Sequence, residues 1–100
     1  MHRAHIVARL RFYTADKSPR RQPILPPHFG CVLEIDHQAH ECRLWLDSGR
    51  PIKPGDTVVL AILFLWPDLV LPKLSVGTKF FLWERGHIAE GEVLEILASN

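Results

Sequence analysis

Apolar side chains occupy every second position of a stretch near the start of the chain: Ile6, Ala8, Leu10 and Phe12. Arg9 and Arg11 lie between them. One face of such a segment is buried and the other meets solvent, so the pattern predicts a strand over about residues 4–13. Residues 14–27 follow with four prolines. Proline removes backbone donors that sheets and helices need, which predicts a long exposed loop.

Alternation resumes in two segments that predict a β-hairpin. The residues assigned to its buried face are Cys31, Leu33, Ile35, Cys42, Leu44 and Leu46. The polar residues between the two segments form the turn. With residues 38 and 39 at the tip, Glu34 would lie across from Arg43 as an opposite-charge pair.

The second half of the chain predicts three more strands. A turn with Pro then Gly, at residues 53–56, precedes an apolar strand over residues 57–66, which Pro67 ends. Residues 79–84 alternate again, Arg85 and Gly86 allow a reversal, and a last strand spans about residues 87–97. Six strands without a long helical period predict an all-β barrel or sandwich.

Composition places these strands in a single domain. The chain has 100 residues, 47% of them apolar, and a net charge of +1. That charge gives no overall attraction to nucleic acid or to a membrane surface. The longest apolar run, 58–66, is shorter than the roughly 20 residues of a membrane-spanning helix. No signal-peptide pattern begins the chain, and we expect a cytoplasmic protein.

Catalytic and cofactor motifs are missing from the sequence. It contains no glycine-rich phosphate loop, so we expect no binding of GTP, and its serines lie in turn or terminal contexts without a nucleophile motif. We therefore expect a protein that is not an enzyme and uses no cofactor.

A metal site is the less favoured interpretation of one cluster, made of His37, His40 and Cys42 with Cys31 or His28 as a fourth ligand. Imidazole and thiolate suit zinc, but the spacing lacks the paired ligands of structural zinc sites. We interpret the two cysteines as small buried hydrophobic residues.

Two further features suggest binding. Arg9 and Arg11 are expected to meet Glu90 and Glu92 where the chain ends close a barrel, which leaves Lys17, Arg20 and Arg21 as phosphate candidates. The second feature is surplus apolar surface. By strand parity Phe81 and Trp83 point outward, as does one face of residues 58–66, unless residues 14–27 or 67–77 fold over them.

The order of short motifs along residues 4–97 resembles the C-terminal barrel domain of elongation factor Tu. The motifs that carry the resemblance are Arg21-Gln22-Pro23-Ile24, Pro27-His28-Phe29, Pro54-Gly55-Asp56, Lys79-Phe80 and Glu84-Arg85-Gly86-His87. The resemblance implies a closed six-stranded antiparallel barrel. It also implies tRNA-facing positions at His28, Glu84 and Gly86.

The chain departs from that family in ways that weaken the tRNA interpretation. It has no GTPase domain, Arg85 and His87 replace the usual hairpin residues, and Glu90 and Glu92 add negative charge. Val59 and Leu63 stand where polar residues are common in the family.

The sequence predicts a non-catalytic module that binds a protein, either a second copy or another partner. The residues expected to make this contact are Phe81, Trp83, Val59 and Leu63. The alternative is an RNA or tRNA contact through Lys17, Arg20, Arg21, His28, Glu84, Arg85, Gly86 and His87.

Overall fold

Six antiparallel strands close into one barrel in the structure, a computed structural model that describes residues 4–97. The strands are β1 (Ile6–Phe12), β2 (His28–Ile35), β3 (Gln38–Trp45), β4 (Thr57–Phe64), β5 (Lys79–Trp83) and β6 (His87–Ile96). Around the barrel their order is β1-β4-β3-β2-β5-β6, and β6 returns to β1. The predicted all-β class and the six-stranded antiparallel barrel are confirmed.

Strand parity determines which side chains fill the barrel. The alternating apolar residues of β1 are buried, as are Leu33, Cys42 and Leu44 of the hairpin. In β4, Ile62 and Phe64 point inward. The core is therefore built mainly from alternate residues of the strands, as the alternation predicts, although Ile88 and Ala89 of β6 are both buried.

The hairpin turn lies two residues earlier than predicted. Ile35 pairs with Gln38, so Asp36 and His37 form the tip, with φ angles of 52° and 62°. Two consecutive positive φ angles match the type I′ turn, whose twist suits a hairpin and which Asp tolerates. The predicted pairing of Glu34 with Arg43 is wrong, because Glu34 lies opposite Ala39.

One end of the barrel is capped by the segment after β4. A one-turn helix, α1 (Pro67–Val70), leads into a 3₁₀ turn at Leu71–Lys73. Val70 is fully buried, and Lys73 Nζ hydrogen-bonds to Gln38 and lies 3.3 Å from His40 Nε2. Within residues 4–97 no helix is long and apolar enough to cross a membrane.

The predicted seam between the two ends of the chain is confirmed. β1 pairs with β6, and Arg9 lies 3.3 Å from Glu92 while Arg11 lies 2.5 Å from Glu90. Arg9 and Arg11 are thus paired with carboxylates of the same molecule. Residues 14–27 form the predicted long loop, which crosses the end of the barrel opposite α1. Ile24 of this loop pairs with Ile52 in the loop between β3 and β4.

Candidate interaction surfaces

The outward row of β4 is apolar after its first residue. It begins with Thr57 and continues with Val59, Ala61 and Leu63, and the same parity extends to Leu65 beyond the strand. Val59 is 59% exposed and Leu65 is 36% exposed. Sequence parity left two choices for the outer face of this segment, and the structure selects the face with Val59 and Leu63.

Two further exposed apolar residues follow along the chain at α1. Trp66 and Leu69 are 63% and 64% exposed, whereas Val70, next to Leu69, is fully buried. We call Val59, Ala61, Leu63, Leu65, Trp66 and Leu69 the β4 strip. Sequence reasoning missed Leu69, although Pro67 at the first helical position was a usable signal for a short helix at this point.

The strands beside the β4 strip contribute mixed neighbours. On the β3 side, Arg43 lies opposite Leu63 and Trp45 lies opposite Ala61. On the β1 side, Val7 lies opposite Ala61 and Arg9 lies opposite Val59. An apolar centre with charged residues at its edges is the usual composition of a protein contact surface.

Phe81 and Trp83 lie on a different wall of the barrel. Both point outward, at 43% and 45% exposed, as predicted from parity. However, two strands separate β5 from β4 in either direction around the barrel. The predicted contact residues therefore form two opposite surfaces rather than one face, which corrects the expectation of a shared surface.

The surroundings of Phe81 are more polar than those of the β4 strip. Its ring centroid lies 4.8 Å from that of His87, and its strand neighbours are Glu34 and Glu90. His87 Nε2 lies 2.6 Å from Glu34 Oε1. Trp83 lies beside Val32 on β2. Apolar area on this wall is therefore interrupted by charges.

Neither segment proposed as a cover lies over these surfaces, since Val59, Phe81 and Trp83 all stay well exposed. Residues 67–73 close one end of the barrel and bury Val70 inside it. Residues 14–27 instead pack against the β5–β6 turn, where a Cβ on Gly86 would lie 3.2 Å from Pro19.

Part of the predicted RNA set gathers around one groove between that loop and the β5–β6 turn. The groove measures about 420 Å³ and is lined by Pro19, Arg20, Arg21, Gln22, Glu84 and Arg85. Arg20 donates through Nη1 to both oxygens of Glu84, at 3.0 and 3.2 Å, and its guanidinium carbon lies 4.7 Å from the Phe29 ring centroid. Arg20 thus anchors the loop, while Arg21 and Arg85 stay exposed.

Three other members of the RNA set, His28, His87 and Lys17, are not among the residues that line this groove. His28 packs on Trp45, with ring centroids 5.0 Å apart, and His87 is engaged with Glu34 and Phe81. Lys17 is exposed within the loop.

The two cysteines face each other across the hairpin. Cys31 pairs with Cys42, and their sulfur atoms lie 3.7 Å apart as free thiols. The hydrogen bond with Cys42, together with burial, raises the pKa of the Cys31 thiol well above its ordinary value. His37 lies in the turn and His40 faces Lys73, so these residues do not converge. Residues 4–97 contain no group of three or more His, Cys, Asp or Glu arranged to hold a metal ion.

No protein-family model matches the chain, and no curated protein matches it significantly in sequence. The resemblance to the elongation factor Tu barrel therefore stays a prediction from motif order. What the structure defines is a closed six-stranded barrel with an apolar outward row on β4 and a groove lined by Arg20, Arg21 and Arg85.

Proposed function

We propose that this chain is a non-catalytic module that binds protein through the β4 strip. The observation that carries the proposal is the row of outward apolar residues from Val59 to Leu65, with the exposed Trp66 and Leu69 following along the chain. Contiguous exposed apolar surface marks contact sites because its burial removes that area from water. A closed barrel holds such a surface rigid, which lowers the entropy lost on binding.

Leu63→Glu is the variant that tests the strip. Leu63 lies in the middle of the row, and a carboxylate there, even beside Arg43 on β3, would have to leave water in any complex that covers the row. Phe81→Glu is the matched control, because it places the same charge on an exposed apolar position of the opposite wall. Both substituted positions point outward, so the barrel core is unchanged.

Light-scattering mass should be measured for the three proteins at low and high salt. We expect the unmodified chain to form a complex with a second copy or with a partner protein. This complex should resist high salt, because burial of apolar surface drives its formation. Leu63→Glu should reduce that association at least tenfold and Phe81→Glu should leave it unchanged. Equal association by a folded Leu63→Glu variant would remove the strip from the interface.

A second candidate is RNA binding at the arginine-lined groove. It is favoured by the convergence of Arg21 and Arg85 beside the Arg20–Glu84 pair. The observed binding constant should then fall steeply with salt, because phosphate contacts release counterions. Arg21→Glu should weaken binding of bulk tRNA several-fold and reduce the salt slope, whereas Arg50→Glu, in another exposed loop, should not. Binding that ignores salt would exclude this candidate.

A further inference from the structure

β4 lacks a neighbouring strand along part of one edge. β1 pairs with β4 from Thr57 to Ile62, whereas β3 pairs with it only from Ala61 to Phe64. The chain leaves β3 after Trp45 and turns away, and the Gly49 N–H donates to the Leu46 carbonyl at 3.1 Å. The first half of β4 therefore pairs with β1 on one side and has no neighbouring strand on the β3 side.

Two hydrogen bonds near the ends of β4 define which way its peptide groups point. The Leu65 N–H donates to the Glu41 carbonyl on the β3 side, and the Phe12 N–H of β1 donates to the Asp56 carbonyl. Since peptide groups alternate between the two edges of a strand, the odd-numbered residues of β4 point towards β3. Val59 consequently directs its N–H and C=O into the space that β3 has left.

Residues 46–56 do not fill the place of the missing strand. Within residues 4–97 their backbone hydrogen bonds go to one another, to Tyr13, to Phe12, to Ile24 and to Pro27, and none reaches Val59. Instead they border a groove of about 390 Å³, whose lining includes Trp45, Ser48, Arg50, Pro51 and Val59. That volume lies within the range of about 300–1,000 Å³ found for ligand sites.

We propose that this groove takes an extended segment of a partner polypeptide, which adds to β4 as a strand in the place that β3 leaves. A free strand edge offers alternating donors and acceptors at about 3.3 Å per residue, and another extended backbone satisfies them in register. The unpaired edge from Thr57 to Leu60 has room for about four such residues. Trp45 and Pro51 provide apolar walls for a side chain of the segment.

The inference rests on the proposed protein-binding function and specifies part of its partner. Val59 belongs both to the β4 strip and to the groove, so one partner can cover the strip and insert an extended segment beside it. Backbone pairing sets the orientation of that segment, while the strip supplies apolar area.

Amide hydrogen exchange in the unmodified protein tests whether the edge of β4 at Val59 is free. In the unbound protein we expect the Val59 amide to exchange at least 100-fold faster than the Ala61 amide, which lies in the ladder with Trp45. Equal protection of the two amides would overturn the inference, because the edge would then be occupied by the chain itself.

Peptide binding tests the occupant. The probe is a heptapeptide selected from a random phage-displayed library, compared with the same peptide N-methylated at alternate amides. We expect the selected peptide to protect the Val59 amide, and the N-methylated peptide to bind at least tenfold more weakly because it lacks the donors. Failure to select any peptide, or equal affinity of the two peptides, would overturn the inference.

Two variants separate this inference from the proposed function. Ser48→Trp fills the groove from an exposed turn position, and Leu63→Glu alters the strip without entering the groove. Loss of peptide binding with Ser48→Trp alone supports the groove. Loss with Leu63→Glu alone would assign the peptide to the strip, which overturns the groove while the proposed function stands.

Discussion

At the scale of single residues, Gly91 of β6 has no room for a side chain. It pairs with Leu10 on one side and Phe80 on the other, and a Cβ on Gly91 would lie 2.5 Å from Phe80 ring carbons and 2.8 Å from Leu10 Cδ2. We expect Gly91→Ala to lower the free energy of unfolding by about 1–3 kcal/mol, because the core must shift to admit a methyl group.

Urea unfolding of Gly91→Ala beside Gly30→Ala provides the comparison. A Cβ on Gly30 would meet the terminal Nη1 of Arg43 at 2.9 Å, and that end of a flexible side chain can move. Gly30→Ala should therefore change stability much less. Equal effects of the two substitutions would contradict the assigned packing of Gly91.

His5 gives the barrel a dependence on pH. Its Nδ1 accepts a hydrogen bond from the Phe64 N–H at 2.9 Å, which requires an unprotonated nitrogen, and burial lowers the pKa of His5 below 6.5. The unfolded chain therefore binds this proton more readily than the folded chain. The stability contributed by His5 is present above pH 6.5 and is lost as the pH falls below that value towards the folded pKa.

Thermal unfolding at about pH 7.5 and about pH 5.5 measures this effect for the unmodified chain and for His5→Gln. Burial and the charge of Lys73 also lower the pKa of His40, so the informative quantity is the difference between the two proteins. We expect the unmodified chain to lose more stability on acidification. An identical loss in His5→Gln would show that His5 does not contribute.

At the scale of elements, the loop over residues 14–27 is held to the β5–β6 turn by Arg20. This side chain contacts Glu84, the Pro23 carbonyl and the Phe29 ring in a partly buried setting. Arg20→Ala should lower the free energy of unfolding by about 1–2 kcal/mol and speed tryptic cleavage at Lys17. Arg21→Ala removes an exposed neighbouring arginine and is the matched control.

If Arg21→Ala speeds loop cleavage at Lys17 as much as Arg20→Ala does, Arg20 is not the anchor. Such a result would also return Arg20 to the set of cations available to RNA. The same pair of variants therefore informs both the fold and the second candidate function.

Period-two alternation is why most of the barrel could be predicted from sequence. Ile6 through Phe12 and the Arg–Glu seam follow from parity and charge, which are local or pairwise properties. The hairpin tip was misplaced because Asp36 and His37 adopt positive φ without the Gly that usually signals such a turn. The unpaired edge at Val59 depends on where β3 leaves the sheet, which no local pattern records.

At the scale of the whole molecule, the order of strands decides how the outward apolar residues can be used. Parity alone places Val59 and Phe81 on the outside, but only the closed order β1-β4-β3-β2-β5-β6 puts them on opposite walls. A partner that covers the β4 strip therefore leaves Phe81 and Trp83 exposed. Protein binding through β4 and RNA binding at the arginine groove would also use different parts of the surface.

Site-specific photo-crosslinking in the producing cells tests the central claim most directly. A photoreactive phenylalanine analogue is placed at Leu69, on the β4 strip, or at Phe81 on the opposite wall. We expect a discrete crosslinked protein, either a second copy or a partner, from position 69, and its loss when Leu63→Glu is added. Crosslinking from position 81 alone, or from position 69 regardless of Leu63→Glu, would contradict binding through the β4 strip.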